Sequence, residues 1–302
     1  MALKDIKAKI QATKRMNKVT RAMEAVSAVK MRKTQQSAFG GRSYARAALS
    51  VLTRLSGTGH VQNHPLSKKR DGSKVALLVI TSDKGLAGGL NSGVIKKAHA
   101  LVSDTKKEDV FVYTLGKKAE EYFNNRSYTV VKSYENKGDE VSLEAMEDIS
   151  NTLSEGFLSG TYDSVQAVYT NFKSTFELIP TATTLLPLSI ESLSALVDGI
   201  RPAKGKWSDE ATLTAPVAYE VEPSGDEVLG LLVPRLVAVS LYHMLLESKA
   251  SEHSARMVAM KNASDKSKEV AHDLTRKFNK VRQAAITREV SEIVSGSTAL
   301  SG

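Results

Sequence analysis

The sequence predicts a mixed α/β fold. Two long helices, one at each end of the chain, pair as an antiparallel coiled coil, and a layered α/β domain is inserted between them. Three observations lead there. Residues 2–55 contain no proline and only one glycine pair, Gly40-Gly41. Residues 235–294 contain neither glycine nor proline. Between these segments, short apolar runs alternate with helical spacing in a β-α-β-α order, the pattern of a largely parallel sheet covered by helices.

In the first segment Leu3, Ile6, Ile10, Met16, Val19, Met23, Val26 and Val29 recur mostly at three- and four-residue steps, which places them in one stripe on a helix. At 1.5 Å per residue such a helix would run about 80 Å, far longer than a globular helix needs to be, so it requires a partner along its length. Gly57, Gly59, Pro65 and Gly72 then mark a polar loop.

The middle begins with Val75-Ala76-Leu77-Leu78-Val79-Ile80, a continuous apolar run of the kind buried on both faces of a sheet. Helical spacing follows over 91–102, 117–123 and 141–158, and further strands are expected over 110–115, 128–133, 164–171 and 183–188. The product is a Rossmann-like α/β layer. Pro202, Gly205, Pro216, Pro223 and Gly225 make 199–226 a linker.

In the last segment Ala263, Ser267, Val270, Leu274, Phe278, Val281 and Ala285 step by three and four, a near-heptad seam. Gly296 supplies the expected stop. The organisation is therefore a coiled-coil helix over 1–57, the α/β domain over 74–190, the linker, and a second coiled-coil helix over 227–302.

The formal charge of +9 in 302 residues is concentrated at the ends. Residues 1–33 carry ten basic side chains against two acidic ones, Asp5 and Glu24. Such a segment fits nucleic acid, an anionic membrane or an acidic protein surface, and charge alone does not choose among them. The longest apolar runs, such as Val75–Ile80, fall far short of the roughly 18–20 residues that cross a bilayer, so no transmembrane helix is expected. The charged start Met1-Ala2-Leu3-Lys4-Asp5 argues against a secretory signal. Zero cysteines exclude disulfides, thiolate metal sites and a cysteine nucleophile.

Little chemistry is legible. Thr81-Ser82-Asp83-Lys84-Gly85-Leu86-Ala87-Gly88-Gly89-Leu90-Asn91 joins a strand to a helix, where phosphate loops sit, but it has neither G-x-G-x-x-G nor G-x-x-x-x-G-K-[ST]. A tight turn is the better reading. His60 and His64 flank loop residues rather than sharing a helix face, and His253 and His272 fall among charges on the last helix. No Ser/His/Asp grouping or paired carboxylates stand out. No catalytic residue, cofactor or metal is expected, and a mechanical or scaffolding role gains by elimination.

Four segments carry a family resemblance. They are Lys18-Val19-Thr20-Arg21-Ala22-Met23-Glu24-Ala25-Val26-Ser27-Ala28-Val29-Lys30-Met31-Arg32, the central Ser82-Asp83-Lys84-Gly85-Leu86-Ala87-Gly88-Gly89-Leu90-Asn91, the Glu247-Ser248-Lys249-Ala250-Ser251-Glu252-His253-Ser254-Ala255-Arg256-Met257-Val258-Ala259-Met260-Lys261-Asn262-Ala263 run, and Arg282-Gln283-Ala284 with Ile286-Thr287-Arg288-Glu289-Val290-Ser291-Glu292-Ile293-Val294-Ser295-Gly296. In this order they resemble the gamma subunits of F-type ATP synthases. Ala87 stands where the family often has cysteine, and Ser297 where alanine is usual.

The resemblance implies a central rotor shaft. One copy would thread three alpha and three beta subunits, with the α/β domain at the foot beside the epsilon subunit on the membrane c-ring. Ion flow would turn the shaft, and ATP chemistry would belong to the alpha/beta interfaces. The interaction residues it implies are Met23, Arg256, Arg282, Gln283, Thr287 and Glu289. A peripheral place on the cytoplasmic side of a bacterial cell membrane follows. A basic coiled-coil protein that binds nucleic acid is the different-class alternative, although aromatic residues are only 6% and no base-reading motif is present.

Overall fold

The computed structural model describes residues 3–56, 64–136, 138, 141–189 and 224–300. Its elements are α1 (Leu3–Ser56), β1 (Val75–Ile80), α2 (Leu90–Leu101), a single 3-10 turn (Lys107–Asp109), β2 (Val110–Leu115), α3 (Lys117–Asn124), β3 (Thr129–Tyr134), α4 (Leu143–Leu158), β4 (Ser164–Ser174), β5 (Glu177–Leu186) and α5 (Gly225–Leu300). They form two compact units: residues 28–256, and residues 1–27 together with 257–302.

In the first of these units the sheet order is β3-β2-β1-β4-β5. The first four strands are parallel to their neighbours, and β5 returns antiparallel along β4. Side chains alternate across the sheet. Ala76, Leu78 and Ile80 of β1 face one core with α4 and residues 229–245 of α5, while Leu77 and Val79 face another with α2 and α3. Both faces are covered, which is why β1 reads as unbroken apolar sequence.

Three sequence expectations need correction. β5 begins at Glu177 rather than residue 183, and pairs with β4 in a hairpin. Pro180 falls inside this strand, and β5 is the edge of the sheet, the position where a strand tolerates proline. The last helix starts at Gly225, two residues before the expected 227, and takes in Gly230 and Pro234, which lie ahead of the glycine- and proline-free stretch that opens at residue 235. Ser224 caps it, its Oγ accepting the Glu227 N–H at 3.2 Å, an S-x-x-E signature visible in Ser224-Gly225-Asp226-Glu227. The roughly 3 kcal/mol cost of an interior proline is outweighed by burial of Leu229, Val233, Leu236 and Val237, each worth about 1.5–3 kcal/mol. At the other end α5 continues through Gly296 to Leu300, because a glycine inside a helix costs only about 1 kcal/mol and no proline follows it.

The start of α5 also makes the helix more apolar than its short runs suggest. It contains an 18-residue window with mean hydropathy 1.8, long and apolar enough by composition to cross a membrane, but 61% of that window is buried inside this protein. Packing against the sheet accounts for that hydrophobicity. The residues expected to end α1 at Gly57 and Gly59, and those expected to form the linker up to Pro223, lie outside the described residues.

Candidate functional site

Along α1 one row of buried and half-buried positions runs through Leu3, Ile6, Ile10, Thr13, Asn17, Thr20, Glu24, Ser27, Met31, Thr34 and Ala38. They step alternately by three and four, a strict heptad seam. The expected apolar stripe follows this seam only through Ile10. After a six-residue step it moves to Met16, Val19, Met23 and Val26, a parallel row one residue earlier and hence about 100° around the helix. That row is turned outward: Met16, Val19, Val26 and Val29 are each more than half exposed. The small polar row is the one the chain buries.

Residues 257–300 of α5 show the matching pattern. Ser264, Ser267 and Ala271 are buried, and Leu274, Phe278, Val281 and Ala285 are half-buried. Ala271 takes the seam position expected for Val270, which is 37% exposed, because the buried row keeps strict three-four steps. Asn17 ties the two helices together. Its Nδ2 donates to Ser264 O at 2.6 Å and approaches Ser264 Oγ and Ser267 Oγ at 3.1 Å. A polar residue in a seam fixes register, since any slip strands its amide. Beyond Ala285, Ile286, Val290, Ile293 and Val294 are exposed, so this end of α5 offers apolar surface that no described residue covers.

Within the α/β unit, the polar groups of the 81–91 loop bond one another and the chain at the start of α3 and just after β3. Asn91 Oδ1 accepts the Ser82 N–H at 3.0 Å, and the Asp83 carboxylate accepts the N–H groups of Lys117 and Asn136 at 2.9 and 3.1 Å. Thr81 Oγ1 accepts the Ala119 N–H. Gly116 passes so close, at φ +113°, that a Cβ there would lie 2.1 Å from Thr81 O. These bonds make the loop a tight turn, in keeping with the absence of a phosphate-loop pattern.

Residues 247–256 of α5 fasten this unit together. Ser251 Oγ donates to Thr170 O at 3.4 Å, Ser254 Oγ to Thr175 O at 2.9 Å, Lys249 Nζ to Gly138 O, and Arg256 to Gly85 O at 3.3 Å. Arg256 also pairs with Glu252 at 2.7 Å, with both side chains only 12% exposed. Amid these bonds Glu247 is 8% exposed, and burial pushes its carboxyl up to about 8, opposed in part by Lys173.

The six residues implied by the resemblance fall in different surroundings. Met23 belongs to the outward row of α1 and is half-buried there. Arg256 is committed to Glu252 and Gly85. Arg282, Gln283, Thr287 and Glu289 lie on α5 beyond the polar contacts with the sheet, and the exposed Thr287 hydroxyl donates back to Gln283 O at 3.0 Å. Sequence reading placed Ser267 in the seam but did not single out Asn17 or Ser264, and the signal that would have found them is the unbroken three-four spacing of small polar residues. Among the described residues no group of three or more His, Asp or Glu side chains is arranged to hold a metal ion.

A family model described as ATP synthase matches residues 2–300. The ATP synthase gamma chain of Roseiflexus castenholzii is 40% identical, over 98% of this chain and 98% of the relative. That of Chloroflexus aurantiacus is 38% identical, again over 98% of each. Among solved structures, a chain of the central stalk and c-ring of Tetrahymena thermophila mitochondrial ATP synthase superposes with TM-score 0.60 at 26% identity, covering 82% of this chain and 99% of that one. A chain from the Euglena gracilis mitochondrial ATP synthase, in its third rotational state, gives TM-score 0.64 over 99% of this chain and 94% of its own. At 17% identity it speaks for the fold alone.

Proposed function

This chain belongs to the ATP synthase gamma-chain family, and from that premise we propose how its surfaces serve the rotor shaft of the complex. The chain is the central shaft that couples ion flow through the membrane ring to conformational cycling of the ATP-forming subunits. The observation that carries the mechanical reading is the division of labour on α1: a small polar seam holds the helix pair together, and an apolar row one residue away stays exposed.

Three alpha and three beta subunits surround one copy of the shaft, and the epsilon subunit and c-ring engage its α/β domain. A helix pair whose faces differ presents different surfaces to three equivalent neighbours, so rotation places each neighbour in turn against the outward row, the basic side chains and the exposed end of α5. The beta subunits then pass through binding, synthesis and release. In this reading Met23, Arg282, Gln283, Thr287 and Glu289 meet the surrounding ring, and Arg256 holds the turn at Gly85 from which the helix leaves the sheet. ATP chemistry belongs to the alpha/beta interfaces, so this chain supplies no catalytic group. The complex is membrane-associated, and the shaft sits peripherally on its cytoplasmic side in a bacterial cell.

The experiment is reconstitution of the purified chain with its alpha and beta subunits, reading stoichiometry and ATPase rate with and without it. One copy per three alpha-beta pairs with raised activity is the expected result. Failure of folded, matched subunits to take up the chain, combined with salt-dependent nucleic-acid binding, would replace this reading with the basic coiled-coil one.

A further inference from the structure

The contact between α5 and β4 changes character along its length. Val165 and Ala167 of β4 belong to the apolar core shared with Leu229, Val233 and Leu241 of α5. Two-residue alternation then brings Tyr169, Asn171 and Lys173 to the same face of the sheet. On the helix, Ser240, His243, Glu247, Ser251 and Ser254 follow at three- and four-residue steps, all buried. The hydroxyls of Ser251 and Ser254 bond backbone carbonyls of β4 and its turn. Glu247 lies in the middle of this polar stretch, and its Oε2 has no hydrogen-bond partner among the described residues.

We propose that this helix–strand seam is a proton-locked joint, closed while Glu247 carries its proton and opening as the pH rises, which sets how firmly α5 is held to the sheet. A neutral carboxyl tolerates the site; a carboxylate there is a buried charge without adequate compensation. From β4 the groups facing it are the Tyr169 hydroxyl, whose own ionisation is pushed up by burial and by Glu247, and the Lys173 ammonium. On α5, His243 is one turn earlier, while Lys249, Glu252 and Arg256 are engaged with Gly138 O, with each other and with Gly85 O. Lys173 favours the carboxylate, but burial outweighs it and leaves the carboxyl at about 8. A histidine charging in the seam would act in the opposite direction, loosening it in acid, so the sign of the effect identifies the group.

The joint rests on the shaft reading for its consequence, since a loosened α5 transmits less of the rotation. Its pH window follows from linkage. An opened seam returns Glu247 to its ordinary 4.5, so the opening equilibrium rises roughly fiftyfold between pH 6 and pH 8 and levels off above that.

The test is amide hydrogen exchange on the assembled complex at pH 6, 7 and 8, corrected for the intrinsic rate. It compares the wild-type chain with Glu247→Gln and with Glu247→Met, an apolar replacement of similar length in case the first does not assemble. Ion pumping per ATP hydrolysed is measured on the same vesicles. The expected result is that protection over residues 165–172 and 240–254 falls roughly fiftyfold from pH 6 to pH 8 in the wild type, more steeply over the first unit than the second, and stays flat in the variants, with pumping per ATP declining only in the wild type. Equal slopes in wild type and variants, or a slope of acid-opening sign, would overturn the joint while leaving the shaft reading intact. Loss of assembly by the wild-type chain would instead strike the shaft reading.

Discussion

The two rows on α1 lie one residue apart, and the same substitution in each should give opposite phenotypes. Val19 and Val26 are 55% and 53% exposed, whereas Thr20 and Ser27 are 5% and 3% exposed. Changing Val19 and Val26 together to lysine places the charges in water, so the isolated chain should lose no more than about 0.5 kcal/mol per site. Changing Thr20 and Ser27 together to lysine forces two ammonium groups into the closed seam, at a cost of about 3 kcal/mol or more even after the side chains bend toward solvent. The order reverses on assembly. About half of each valine remains for a partner to cover, about 1 kcal/mol apiece on the scale for full burial, so the outward pair should weaken uptake by the alpha-beta ring roughly thirtyfold. Urea unfolding of the full chain, followed by helical circular dichroism, reads the first quantity. Titration of the chain onto the alpha-beta assembly reads the second. If the outward pair unfolds the chain as readily as the inward pair, or enters the ring with wild-type affinity, the assignment of rows to seam and surface is wrong.

Three further outcomes follow from the α/β unit. Glu247 has a folded value of about 8 against an ordinary 4.5, so the native state keeps a proton that the unfolded chain releases. Its favourable contribution is therefore complete below about pH 4.5 and declines up to about pH 8, by at most about 5 kcal/mol. In urea, Glu247→Gln should match the wild type near pH 4.5 and exceed it increasingly toward pH 8; a pH-independent difference would contradict this. Gly116→Ala should cost more than about 3 kcal/mol in the same assay, because the methyl would meet Thr81 O at 2.1 Å in a backbone conformation that side chains rarely adopt. Arg256→Ala should cost about 2–4 kcal/mol by leaving Glu252 buried and uncompensated, and adding Glu252→Gln should recover part of that loss in a double-mutant cycle.

How much of this was legible in the sequence depended on which force set each position. The buried strands and the two long helices were readable because apolar runs and the absence of helix breakers report directly on burial and continuity. The first residues of the edge strand β5 were missed: 177–182 contain Pro180, and whether a strand tolerates a proline depends on its being at an edge, which is a tertiary fact. The seam of α1 was misassigned after Ile10 because hydrophobicity was taken as the sign of the intrachain contact. In an isolated globular protein Val19 would be buried and Thr20 exposed; here Val19 is 55% and Thr20 5% exposed, the arrangement expected if the apolar row serves the proposed contact with the surrounding subunits. Of the functional residues, those on exposed helix faces came only from family resemblance, since a lone Gln283 or Glu289 on a solvated face has no physical signature. Glu247 was equally silent, for its chemistry comes from where α5 crosses β4.

The distribution of residues along α5 gives this one helix two tasks. From Leu229 to Leu245 its buried side chains are mainly apolar and pack on the sheet. From Glu247 to Arg256 they bond backbone carbonyls at β4, at its turn and at the loops after β1 and β3. From Met260 to Ala285 a heptad seam takes over, and no loop interrupts the helix from Gly225 to Leu300. Apolar contacts are non-directional and permit small sliding, whereas a helix fastened through directional bonds to several different segments resists rotation about its own axis. The polar belt is therefore the part of the contact best suited to carry torque from sheet to helix. The same directional bonds make it sensitive to one misplaced charge. A mechanical joint and a pH-dependent one would then share the same few turns of α5, and variants that stiffen the first by removing the Glu247 carboxyl should also abolish the second.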